Sequence, residues 1–403
     1  MKPKTMLFLV IILGILIGVS FLIQTIKTPS VSKSARLGGE LIENFPANDI
    51  AAVTLQTEEG TVQLAKVEEE WVVKSRYNYP VDFKKLIDFV KKWKEAKIGR
   101  TFKASEASME RMQLISPDKE GASQEVKGSL VRFEKADASV ISEIITGKVR
   151  ENDTGASGGQ YVRIDDTETV YLTDKNFKYM TKDSKGWIDK ELLDIKAEDI
   201  QKVVFTSWEG KKVYTIQREK KEDDAKLINV PEGRKVKKSE VTSAIGALSS
   251  LRIEDIENPE EKQTDKSKVD KLTYYLFDGT VYRLYPEKKF KNNEDVHCLR
   301  VEVAYQKPPE EEKPTEASDA MPVTDDKAET DKKDEKTPEE LAYDAENNNK
   351  KLSPWTFILA KWKFENLITN IEEFLEEKKE EEVKPPVAPT PVVPSIPELP
   401  KSE

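Results

Sequence analysis

The longest run of apolar positions comes first: from Met6 to Ile23 the only polar side chain is Ser20. A run of this length can cross a hydrocarbon core as a helix. It predicts a transmembrane helix over residues 6–26 behind a short cytoplasmic start, residues 1–5, whose Lys2 and Lys4 orient the amino terminus inward. A cleaved signal peptide, with a small-residue site near Ser34-Ala35, is the alternative.

After a polar linker, residues 27–45, the pattern changes to period two. Ala52-Val53-Thr54-Leu55 and Thr61-Val62-Gln63-Leu64 flank Glu58-Glu59-Gly60, a hairpin signal, and Trp71-Val72-Val73 adds a third strand. Asp82 then caps a helix reaching about Lys97, in which Phe83, Leu86, Ile87, Val90, Trp93 and Ala96 form one apolar face expected to pack on the sheet. A short helix over residues 105–112, strands at 130–133 and 140–145, a hairpin of 161–164 with 169–172, and a helical turn over 187–195 follow.

The pattern then starts again. Asp199-Ile200, Val203 and Glu209-Gly210 repeat Asp49-Ile50, Val53 and Glu59-Gly60 at an offset of 150. Val81, Leu86, Val90, Trp93 and Ile98 recur as Val236, Val241, Ile245, Leu248 and Ile253 at an offset of 155. Tyr161-Val162-Arg163-Ile164 matches Cys298-Leu299-Arg300-Val301 more loosely. The expected fold class is α+β, with two tandem repeat units of antiparallel sheet plus helix, residues 46–195 and 196–306.

Residues 307–350 are acidic and almost free of large apolar side chains, and are expected to be disordered. Order is expected to return over residues 351–380 as a strand near Trp355-Thr356-Phe357-Ile358-Leu359 and an amphipathic helix bearing Trp362, Phe364, Leu367, Ile368, Ile371, Phe374 and Leu375. Residues 381–403 form a Pro-rich tail, with seven prolines between Pro385 and Pro400.

Charge sharpens this division. Between Pro309 and Glu346 there are fifteen Asp or Glu against five Lys, a surplus equal to the formal charge of −10 for the whole chain. The acidity therefore belongs to the tail. No basic stripe interleaved with aromatics crosses the body, so nucleic acid is not an expected partner. A single cysteine, Cys298, excludes an internal disulfide framework.

An apolar start followed by Asp-Ile-x-x-Val, the Trp71-Val72-Val73 strand and a Val-x-x-x-x-Leu helix resembles the bacterial family called domain of unknown function 4340. The same holds for Gly159-Gln160-Tyr161-Val162-Arg163-Ile164, Thr169-Val170-Tyr171-Leu172-Thr173 and Trp187-Ile188-Asp189-Lys190-Glu191-Leu192-Leu193. The resemblance covers residues 46–305 and the segment around Trp355; Leu359-Ala360 departs from the Ile-Pro common there, and the acidic insert is long. It implies a membrane-anchored, non-enzymatic accessory of ABC-type transport systems of the gliding-motility kind, with no catalytic residues.

The chemistry-bearing residues read mostly as structure. His297 stands beside Cys298, but neighbours in a strand point to opposite faces, so they cannot form a dyad if residues 296–304 are extended. With no other histidine, a Ser-His-Asp triad and the common histidine-based zinc sites are excluded. Gly155-Ala156-Ser157-Gly158-Gly159 lacks a following Gly-Lys-Ser/Thr and reads as a flexible turn rather than a phosphate cradle. Asp165, Asp166 and Glu168 read as a solvated hairpin turn, and Trp71, Trp93 and Trp187 as core. The expected function is an extracytoplasmic binding domain on the bacterial inner membrane, attached through residues 6–26. Its expected partners are transporter subunits, with no cofactor, metal, catalytic residue or small-molecule substrate. The alternatives are an envelope-spanning structural protein, or an enzyme relying on carboxylates.

Overall fold

The computed structural model describes residues 37–151, 157–178, 180–307 and 336–377. Two compact units divide the chain between Asp189 and Lys190.

In the first unit, alternating β-branched and aromatic residues build β1 (Ala52–Thr57), β2 (Gly60–Val67), β3 (Glu70–Val73) and β4 (Tyr79–Pro80) ahead of helix α1 (Phe83–Lys94). Then come β5 (Ile98–Lys103), helix α2 (Glu106–Arg111), β6 (Ser129–Glu134), β7 (Val140–Glu151), β8 (Ser157–Ile164) and β9 (Thr169–Thr173). They form one antiparallel sheet in the order β4-β3-β2-β1-β6-β7-β8-β9-β5. Val53 faces Leu64 on one side and Phe133 on the other, which sets Val53, Leu55, Val131, Phe133 and Ile144 on one buried face. That face is closed by Leu86, Phe89 and Trp93 of α1. Asp82 caps α1 by accepting a 3.0 Å hydrogen bond from the Lys85 amide. Trp93 stacks on Phe177 at 3.6 Å, and Phe89 meets Trp187 edge-on at 5.4 Å. The opposite face is closed by Met109, Leu114 and Ile115 against Ile145 and Val170.

The second unit holds β10 (Glu191–Leu193), β11 (Ile200–Thr206), β12 (Lys212–Gln217), β13 (Lys226–Ile228), helix α3 (Lys238–Ile245), β14 (Leu251–Arg252) and β15 (Asp255–Ile256). β16 (Lys271–Leu276), β17 (Thr280–Lys291), β18 (Glu294–Tyr305), helix α4 (Pro338–Leu352), β19 (Phe357–Ile358) and helix α5 (Lys361–Leu367) complete it. Its large sheet runs β13-β12-β11-β16-β17-β18-β19-β15, while β10 and β14 form a separate pair. This order runs position for position with β3-β2-β1-β6-β7-β8-β9-β5, so β19 occupies the place that β9 holds in the first sheet. Phe357 is fully buried there, paired with Leu299 on β18 and Ile256 on β15.

The α+β expectation is corrected by this arrangement. The molecule is mostly antiparallel sheet, in three sheets, with five short helices among the described residues. The runs expected as short strands extend instead into ribbons such as the twelve-residue β7, β17 and β18, so each helix is a small cover on a large sheet rather than an equal layer. Among the described residues no helix is long and apolar enough to cross a membrane. The spanning helix expected over residues 6–26 and the Pro-rich tail lie outside the described residues.

Three local expectations also change. Residues 191–193 form β10, not a helical turn; so short an apolar run carries no period to separate the two. Residues 338–350, expected disordered on charge, belong to α4, which runs on to Leu352. Thr337 and Glu340 make a reciprocal capping box, Pro338 opens the first turn, and the Asn349 side chain accepts a 3.0 Å hydrogen bond from the Val303 amide. On α1 the apolar face is wider than what it buries: Phe83 is 54% exposed and Ile87 48%.

Candidate functional site

A cleft opens in the first unit, where the β1–β2 turn, the start of β6 and the middle of β7 and β8 meet the segment after β9. It has a volume of about 430 Å³ and a polar lining that includes Glu58, Lys127, Thr146, Gln160 and Lys182. β7 bulges here, because its register against β8 shifts between Thr146 and Val149. Gly147 sits in that bulge; a Cβ there would lie 2.1 Å from the Met112 carbonyl oxygen, so the close approach of the turn after α2 admits only glycine. Gln160, buried on β8, forms the floor. Its Nε2 donates to the Gly147 carbonyl at 2.7 Å and its Oε1 accepts from the Phe177 amide at 2.6 Å. Thr146 donates to the Ser129 carbonyl at 3.2 Å. At the mouth Lys182 lies 3.5 Å from Glu58 and 3.6 Å from Glu59. A fixed amide floor under ammonium and carboxylate groups can hold a polar molecule, but it presents no nucleophile with a base beside it.

The residues singled out from the sequence are not drawn into this cleft. His297 and Cys298 lie on β18 with opposite orientations. The His297 ring sits 4.9 Å from that of Phe364, while burial, and then the Glu257 carboxylate, push the Cys298 thiol up to about 12. A thiol in that state stays protonated and is a poor nucleophile. Asp166 is solvent-exposed and pairs with Arg163 Nη1 at 2.7 Å; Asp165 is raised by its partial burial, and Glu168 is exposed. Gly158 and Gly159 belong to β8. Gly159 has φ +98°, and a Cβ on it would lie 2.0 Å from the Thr173 carbonyl oxygen, so its reason is close strand packing. Residues 152–156 lie outside the described residues. Trp93 and Trp187 are buried core, whereas Trp71 is only partly buried. Among the described residues no group of three His, Cys, Asp or Glu side chains is placed to hold a metal ion.

A second cluster escaped the sequence reading. Glu257 is 6% exposed and is held between Lys289 Nζ at 2.6 Å and Lys291 Nζ at 2.7 Å. Burial pushes its carboxyl up, but the two ammonium groups outweigh burial and leave it below the usual carboxylate range. The alternation of Lys289 and Lys291 on one strand face was the available signal; the loop that brings Glu257 over them had none.

Fold and site thus define the class: a mostly-β protein of two sheet units with a polar cleft in the first. The family described as Domain of unknown function (DUF4340) matches residues 71–272, about half of the chain, and the protein belongs to that family. The match begins at Trp71 in β3 and ends at Leu272 in β16, taking in parts of both units. No curated protein and no solved structure matches the chain.

Proposed function

We propose that the protein is a non-catalytic binding module that serves an ABC-type transport system from the extracytoplasmic side of a bacterial inner membrane, held there by the apolar run at residues 6–26. The observation that carries the reading is the second apolar stripe of α1. Leu86, Phe89 and Trp93 satisfy the sheet, yet Phe83 and Ile87, one helical turn apart, remain about half exposed on a shared face. Lys84, Lys91 and Lys94 are exposed around them. An apolar pair rimmed by ammonium groups fits a protein surface that is apolar at its centre and acidic at its edge.

The test is affinity purification from membranes with the full-length chain and with a Phe83→Ser, Ile87→Ser double variant. The reading expects transporter subunits with the parent chain and their loss with the variant. Recovery of the same subunits by both would overturn this surface as the docking site.

A further inference from the structure

The hairpin joining β11 and β12 carries a tryptophan where such turns favour small polar residues. Its backbone is tightly held: the Ser207 amide donates to the Lys211 carbonyl at 2.8 Å, the Gly210 amide donates to the Ser207 carbonyl at 2.8 Å, and Gly210 adopts φ +83°. The Trp208 amide also donates to Asp270 Oδ1 at 2.9 Å. Despite this, the residue is 61% exposed. The fold fixes the turn and leaves most of the Trp208 surface uncovered.

Beside that ring lies a cavity of about 280 Å³ lined by Ser207, Trp208, Lys266, Lys271 and Tyr285. Its floor is electrostatically settled, because Glu302 accepts from both Lys266 at 2.6 Å and the Tyr285 hydroxyl at 2.8 Å. Two polar groups are not settled. Ser207 Oγ is buried without a hydrogen-bond partner, and Lys271 has no ion pair or hydrogen bond from its ammonium group among the described residues. A buried hydroxyl left unpaired carries a cost that a ligand would remove.

We infer that this cavity is a subsite for an acidic sugar. The exposed indole offers a flat face for the C–H side of a pyranose ring, Ser207 Oγ meets a ring hydroxyl, and the Lys271 ammonium meets the carboxylate. The Lys271 ammonium beside the cavity disfavours a cationic guest. A bare inorganic anion would make no use of the indole, and a purely apolar guest would leave the hydroxyl and ammonium unmet. This reading is independent of the α1 surface.

Titration calorimetry on the full-length protein, in a detergent without a sugar headgroup, tests it with tetragalacturonate and a hyaluronan hexasaccharide as acidic probes and cellotetraose as the neutral one. The expected result is binding of at least one acidic probe, weakened about tenfold by Trp208→Ala and by Lys271→Ala, retained in Trp208→Phe, and weaker for cellotetraose. Because Trp208 is displayed on the surface, its replacement leaves the fold intact. Failure of both acidic probes would overturn the inference. So would equal binding of cellotetraose, which removes the role of the charge, or binding unchanged by Trp208→Ala, which reduces the attraction to general electrostatics.

Discussion

Single residues in this protein show how context sets chemistry. Cys298 and His297 are adjacent in sequence, but the strand sends one into a protonating, buried environment and the other against Phe364. That separation was legible beforehand, because the period of two in a strand is fixed by backbone geometry. Glu257 was not legible, since its neighbours Lys289 and Lys291 are brought to it only by the fold. Its folded carboxyl lies below the unfolded reference of about 4.3, so its stabilisation is present above that value and is lost as pH falls through the folded value. Replacing Glu257 by Gln leaves the half-buried Lys289 and Lys291 ammonium groups with only Glu287 and Glu261 as counter-charges, an expected loss of about 1–2 kcal/mol at neutral pH. Urea unfolding compared between neutral pH and a pH below the usual carboxylate range should show that difference narrowing, because the parent carboxylate is then being protonated as well. A gap of the same size at both pH values would contradict the assignment.

Among the elements, β19 is the most consequential. It is two residues long, yet it bridges β18 and β15 and inserts Phe357 into the sheet with no exposure. Phe357→Ala is expected to cost about 4 kcal/mol, the range for emptying a large buried site. Hydrogen exchange of the β15 and β18 amides reads it out: accelerated exchange there supports the account, and unchanged protection contradicts it. The sequence signalled this strand through the run from Trp355 to Leu359, but it held nothing to say which edge the strand would join. The helix before it was hidden for a different reason. Net charge dominates the acidic stretch, although the Thr337-Pro338-Glu339-Glu340 start of α4 is a capping signature that could have found it. Trp208 was missed in a similar way, because the Glu209-Gly210 turn drew attention to the hairpin and not to the ring displayed on it. On α1, the apolar positions were correctly seen but assigned wholly to the core; periodicity shows which side chains share a face, not how much of that face the sheet can cover.

At the scale of the whole molecule, the two units each contain a large antiparallel sheet, with strand orders that correspond over eight positions, and the family match spans parts of both. The strand pattern that produced this architecture was readable in its hairpins and missed in its proportions, because long ribbons such as β17 and β18 are interrupted by charged positions that look like loop sequence. In those ribbons Arg283, Glu287, Lys289, Lys291, Arg300 and Glu302 occupy one face of the sheet while Leu284, Leu299 and Val301 fill the other, where Lys288 and Asp295 pair with each other near the ribbon's end. The proposed role brings this scale together: a sheet body that presents α1 to a transport partner while an apolar leader keeps it beside the membrane. The most direct test is to purify the full-length chain from membranes in parallel with a version lacking residues 1–26, and to identify what each retains. The account expects both to recover the same transporter subunits, with the shortened form released from the membrane fraction. If neither form recovers a transporter subunit, the accessory role is contradicted.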